Sequence, residues 1–189
     1  MVRILIGSVL GGIVQWIIGA LFWATPLGRL AFRSLGDGET ADLQASMART
    51  LTQTGTGTYF IPSPESAQGG VLLGRGPVGL VFFNTDGFAA MDWSALATGL
   101  VMSIVMLLLV GVALSLVDGV QARLRVLMLF AAAAVLYFIL AMPVYNYYLP
   151  WTWWVYLAIS DFVAFAVGGF ILAKWFVPSA PVARADTLH

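Results

Sequence analysis

The chain has 189 residues, 60% of them hydrophobic and 10% charged, with a formal net charge of zero; an average soluble domain carries about 25% charged residues. A neutral chain has no electrostatic attraction to a polyanion, so no nucleic acid partner is expected. There is no cysteine, and the single histidine, His189, is the last residue. That removes disulfides, thiolate chemistry and the internal imidazole that a ligated haem or zinc needs, so neither a metal nor a cofactor is expected.

Ile4–Gly28, Trp93–Val117 and Val126–Ser160 contain no Asp, Glu, Lys, Arg or His. A hydrocarbon core about 30 Å thick needs about 20 apolar residues per helix. The first two stretches hold one span each. The third, broken by Pro143 and Pro150, holds one span and the start of another. Spans are expected at Ile4–Ala24, Ala95–Val117, Leu124–Met142 and Thr152–Phe176. The fold class is an all-α membrane protein, a bundle of four transmembrane helices with a small α+β segment between helices 1 and 2. Residues 1–24 read as a retained signal-anchor, because the apolar run behind Arg3 exceeds the about 7–15 residues of a cleavable signal core.

Residues 25–92 hold most of the charge. Leu43, Met47 and Leu51 recur at i, i+4 and i+8, which predicts a helix over Thr40–Leu51 with Thr40 as its N-cap and Gly55 and Gly57 as its stop. Thr58–Ile61 and Val78–Phe83 are rich in strand formers, and Asn84–Gly87 reads as a turn. Two strands alone are marginal in water, so they must lean on the helices or on a partner. Asp92 and Ser94 suit the N-terminus of the second span. Glu65, Asn84, Asp86 and Asp92 lack the ligand spacing of a calcium loop.

Arg3, Arg123, Arg125, Lys174 and Arg184 flank the spans on one side, whereas Val144–Trp151 carries no cation. The excess of Lys and Arg on cytoplasmic loops places both termini, including the tail 178–189, in the cytoplasm and makes 25–92 extracytoplasmic. Arg29 and Arg33 oppose this, but long segments translocate largely regardless of charge.

Counted inward at about 1.5 Å per residue, Gln15 and Asp161 fall near the middle of their spans and Ser103 a little above it. The third span offers only Ala131–Ala134 at that depth, with Tyr137 one turn further out. A carboxylate in mid-bilayer costs a few kcal/mol or more unless it is paired, hydrated or protonated. Lys174, on the same helix, is about 20 Å away. Asp161 is therefore expected to be protonated and hydrogen-bonded to Gln15, Ser103 or Tyr137, or to face a water-filled cleft. It either fixes helix register or binds a proton or ligand. With no His, Lys or second acid beside it, it has no catalytic partner, and an enzyme is the weakest reading.

Gly7-xxx-Gly11 on the first span and Ser160-xxx-Ala164-xxx-Gly168 on the fourth let backbones approach closely, within the bundle or against another subunit or a second copy. Tyr145, Asn146, Tyr148, Trp151 and Trp154 gather between the third and fourth spans. They suit an interfacial aromatic belt or the rim of a lipid or quinone site.

Gly57-Thr-Tyr59-Phe-Ile-Pro62, Gly76-Pro-Val-Gly79 and Asn146-Tyr-Tyr-Leu-Pro150 precede an acid-bearing last span. On these elements the chain resembles a set of uncharacterised bacterial inner-membrane proteins with one N-terminal span, an extracytoplasmic segment carrying Gly-x-Tyr-x-x-Pro, and three further spans. The resemblance implies that location and architecture, and no activity. The span order also looks like claudin-type bundles, whose paired cysteines this chain lacks.

Two functions fit these residues. The first is a non-catalytic accessory, assembly or scaffold subunit of a larger inner-membrane complex, with membrane lipids and other subunits or a second copy as partners. The alternative is a small-molecule, lipid- or quinone-binding, or proton-coupled transport bundle built around Asp161.

Overall fold

The structure is a computed structural model and describes residues 1–178; Arg184, His189 and the rest of the expected tail after Pro178 lie outside the described residues. In chain order its elements are α1 (Val2–Trp23), α2 (Asp37–Leu51), β1 (Gly57–Ile61), α3 (Gly69–Arg75), β2 (Gly79–Phe83), α4 (Trp93–Leu114), α5 (Val120–Ala134), α6 (Met142–Tyr145) and α7 (Trp151–Ile171). A π-helical turn, Val135–Leu140, joins α5 to α6, and a second, Leu172–Phe176, extends α7. Four helices are thus long and apolar enough to cross a membrane: Val2–Trp23, Trp93–Leu114, Val120–Tyr145 and Trp151–Phe176.

The third helix starts at Val120, four residues before its expected start at Leu124. Gly119, at φ +80°, makes the turn that ends the preceding connection, and Arg123 falls inside the helix instead of in the loop before it. The π turn ends three residues before Pro143. Proline has no N–H to donate and its ring crowds the carbonyl one turn back. The wider turn, closed by Ala141 N–H on Leu136 O at 3.0 Å, absorbs that misfit while the helix continues.

α1 is the hub, packing along both α4 and α7, while α5 flanks α7 and hardly touches α4. Two consecutive glycines make this possible. Neighbouring helical residues point about 100° apart, so Gly11 faces α7 and Gly12 faces α4. A methyl group on Gly11 would stand 2.6 Å from the Gly168 carbonyl oxygen, and one on Gly12 2.7 Å from Ile104 Cγ1. Gly7 lies against Leu172 and Phe176, and Ala164 is buried. Gly7, Gly11, Ala164 and Gly168 therefore pack within the chain. The apolar core, Ile4, Leu107, Leu114, Leu127, Leu172, Ala173 and Val177, gathers mainly where the termini meet. There Arg3 donates to the Trp175 carbonyl at 3.2 Å, so both ends of the described chain share one end of the bundle. Residues 25–92 form a cap at the other end.

α2 begins at Asp37, not Thr40. Glu39 turns back to accept the Gly36 N–H at 3.1 Å, which supplies the cap, and the Thr40 hydroxyl donates to the Gly36 carbonyl. β1 and β2 pair antiparallel, Tyr59 opposite Val81 and Phe60 opposite Leu80. The sheet leans on the helices through Phe60, whose ring meets Tyr148 edge-on at 4.7 Å. The short helix α3 between the strands was not expected, because its sequence, Gly-Gly-Val-Leu-Leu-Gly-Arg, is three-sevenths glycine.

Asp92 caps α4. Its Oδ1 accepts the Ser94 hydroxyl at 2.6 Å and the Ser94 and Ala95 N–H groups at 2.8 and 3.2 Å, bonds that hold its carboxyl below the ordinary value of 3.8. A carboxyl lowered by folding stabilises the folded state above its ordinary value, and that contribution fades as pH falls through the lowered one. Asp92→Ala is therefore expected to speed amide exchange over Trp93–Leu96 at neutral pH. After correction for intrinsic rates, the difference from the parent chain should shrink on acidification and vanish once the Asp92 carboxyl is protonated. A difference that persists there would show that the carboxylate is not the cause.

Candidate functional site

Because α5 packs on α7 and leaves α4, the space between α4 and α5 is an open groove of about 360 Å³. Its floor is α1, reached through Gln15. One wall is the α7 face bearing Asp161, Ala164 and Phe165, spaced i, i+3, i+4. The opposite wall is Phe130, Ala131 and Ala134 of α5 with Val135, Phe138 and Ile139 of the π turn.

Asp161 presents its carboxyl to this groove with almost no protein partner. Its contact is the Ser160 hydroxyl at 3.4 Å from Oδ1. That hydroxyl has one proton and a better acceptor in the Leu157 carbonyl at 2.9 Å. Ser160 itself is buried and held from α1, where the Trp23 indole N–H donates to its oxygen at 3.2 Å. Tyr156, one turn earlier, donates to the Phe22 carbonyl at 2.6 Å and stands edge-on to Trp23 at 5.1 Å. These bonds fix the height of Asp161. It stands beside the last turns of α1, about 10 Å toward the cap from the Gly11–Gly168 contact. Gln15 lies at that contact, so the two are not at one depth as the residue count suggests. The Gln15 Oε1 atom is sealed from solvent and has no hydrogen-bond partner among the described residues.

Ser103 and Tyr137 do not join them. Ser103 donates to the Gly99 carbonyl of its own helix at 3.0 Å. Tyr137 is 66% exposed, with its ring against Phe138. In a regular helix Tyr137, seven residues after Phe130, would share the groove face. The π turn takes more residues per turn and swings Tyr137 off that face while bringing Ile139 onto it; Phe138, seven residues after Ala131, lies on it either way. The expected cluster of four is reduced to Gln15 and Asp161.

At the rim, Asn146, Tyr148 and Trp154 line a second space of about 440 Å³, roofed by Leu80 and Phe82 of β2. Tyr145 and Trp151 lie outside it. Asn146 is held at both ends of its amide, its Nδ2 donating to the Met142 carbonyl at 3.0 Å and its Oδ1 accepting the Tyr148 hydroxyl at 3.2 Å. The rim therefore presents mainly aromatic surface, including the indoles of Trp153 and Trp154.

Arg123 is the residue whose role sequence reasoning missed. It is fully buried, and its guanidinium donates to the carbonyls of Val117 at 2.7 Å, Val177 at 2.9 Å and Pro178 at 2.6 Å. It thereby holds the chain ends after α4 and α7. In the sequence it is one cation of a short loop, and nothing local marks its burial.

Among the described residues no group of three or more His, Asp or Glu is placed to hold a metal ion. Compared with protein-family models, curated proteins and solved structures, the chain finds no match.

Proposed function

We propose that this chain is an integral protein of the bacterial inner membrane, with both termini cytoplasmic, that works by binding and not by catalysis: an accessory, assembly or scaffold subunit of a larger membrane complex. The observation that carries this is the uncovered cap. α2 has 15 residues and buries only Leu51, and it forms no packed face with any of the four long helices. A helix of that length in water draws its stability from tertiary packing of one face. The two-stranded sheet likewise leaves an edge of each strand open and exposes Phe82 at 79%, features that soluble surfaces normally cover. A partner subunit lying on the cap supplies the missing contacts. Neither the groove nor the rim has a nucleophile beside a base, which favours binding over bond cleavage.

Native mass spectrometry after mild detergent extraction tests this directly. The expected result is a mass containing this chain and at least one other protein, reduced to the single chain by Leu43→Asp with Met47→Asp on α2. A strictly monomeric species with nothing co-purifying sinks the proposal.

A further inference from the structure

We propose that the groove between α4 and α5 is a binding site for a lipophilic organic cation, its charge against Asp161 and its apolar body among the phenyl rings. This goes beyond the subunit role and needs only that the four long helices lie in a bilayer. Charge is the first reason. Asp161 is the groove's sole ionisable side chain, and none of the residues lining it is basic. An acid in such surroundings costs a few kcal/mol or more without a counter-charge, and its one polar neighbour, Ser160, has a better acceptor elsewhere. A bound cation supplies what no side chain does. An anionic ligand meets only repulsion, and a hydrocarbon chain leaves the acid as it was.

The walls point the same way. Phe130, Phe138, Phe162 and Phe165 line the groove, and aromatic faces attract cations, most strongly where water is excluded. Phe138 stands on the same face as Phe130, Ala131 and Ala134, seven residues after Ala131 and four after Ala134. Gln15 adds an amide whose oxygen no group among the described residues engages, and a half-turn of its terminal torsion exchanges nitrogen for oxygen at the groove.

Size selects a small molecule over a partner's transmembrane helix. The groove holds about 360 Å³, within the range of small-molecule sites. Two turns of a helix about 10 Å across displace roughly 850 Å³.

The full chain, reconstituted in liposomes of neutral lipid, is to be titrated with radiolabelled tetraphenylphosphonium, with uncharged triphenylphosphine as the competitor. Saturable binding of one cation per chain is expected, weakened about tenfold or more by Asp161→Asn and little changed by Asp161→Glu or by triphenylphosphine. Ala134→Phe, which fills the groove and keeps the carboxyl, is expected to abolish binding. Circular dichroism checks each variant's helix content, so either one alone decides should the other fail to fold. Binding no greater than in protein-free liposomes, or unchanged in a folded Asp161→Asn or Ala134→Phe variant, or displaced equally by triphenylphosphine, overturns the proposal. Flotation of the same liposomes separates the two claims. A chain that does not float refutes the membrane location, and one that floats without binding refutes the cation site alone.

Discussion

Replacing Arg123 by methionine is expected to cost about 3–5 kcal/mol, because three carbonyls lose a charged donor worth about 1.5–3 kcal/mol each and the methionine packing offsets part of that. The methionine chain fills much of the same space, so the loss isolates the guanidinium. Arg123 joins Val117 at the end of α4 to Val177 and Pro178 beyond α7. The last carbonyls of any helix lack intrahelical partners, and where they are withdrawn from solvent, as in the buried bond to Val177, they need a donor. A guanidinium offers five N–H groups in a planar fork, positioned to serve three carbonyls at once, and its charge complements the negative ends of two helices. Arg123→Lys is expected to recover less than half of the loss, because an ammonium on a flexible stem cannot span the same acceptors. Thermal unfolding of the detergent-solubilised chain measures both. A methionine variant that melts within about 2 °C of the parent chain would mean that the three bonds contribute nothing net.

The second large effect is expected at the crossing of α1 and α7. Gly11→Val should be destabilising by about 3 kcal/mol or more, at or beyond the upper end of overpacking costs. The added carbon meets a main-chain oxygen, that of Gly168, at 2.6 Å, together with Leu107 Cδ1 at 2.8 Å. Leu107 is wholly buried and cannot swing away. Gly168→Val should behave alike, since its own first carbon meets the Gly11 oxygen at 2.7 Å. Gly19 is the internal control. It lies on the same helix with nothing within 4 Å of an added carbon, so Gly19→Ala should leave stability unchanged or raise it by up to about 1 kcal/mol through helix propensity. Equal melting temperatures for the Gly11 and Gly19 variants would show that α1 does not seat on α7 through these glycines.

Much of the architecture was legible because charge is so costly in a long apolar helix that its absence over about 20 residues is a signal in itself. The first helix begins beside Arg3, the second runs from just after Asp92 to within four residues of Asp118, and the fourth ends two residues after Lys174. Local hydrogen bonding was legible where one side chain acts on its own neighbours, as Asp92 does on Ser94 and Ala95. It misled at Thr40, because Glu39 reaches back to Gly36 and starts α2 a turn sooner. The candidate site was half legible. Gln15 and Asp161 line one groove, but the π turn that turns Tyr137 away leaves no mark in residue spacing, since it follows from how Pro143 is accommodated.

The amino-acid order alone determined four helices of spanning length, a polar segment after the first, the absence of thiol chemistry, and one acid stranded among apolar residues. These depend on composition along the chain, and each residue carries its own share of the information. Only the tertiary structure decided that Gly11 and Gly12 serve two different helices, that Arg123 is buried against the Val177 carbonyl 54 residues further along the chain, and that α5 parts from α4 to open a groove onto Asp161. Those outcomes depend on which faces meet, and a contact between distant residues is a property of pairs that neither member records by itself.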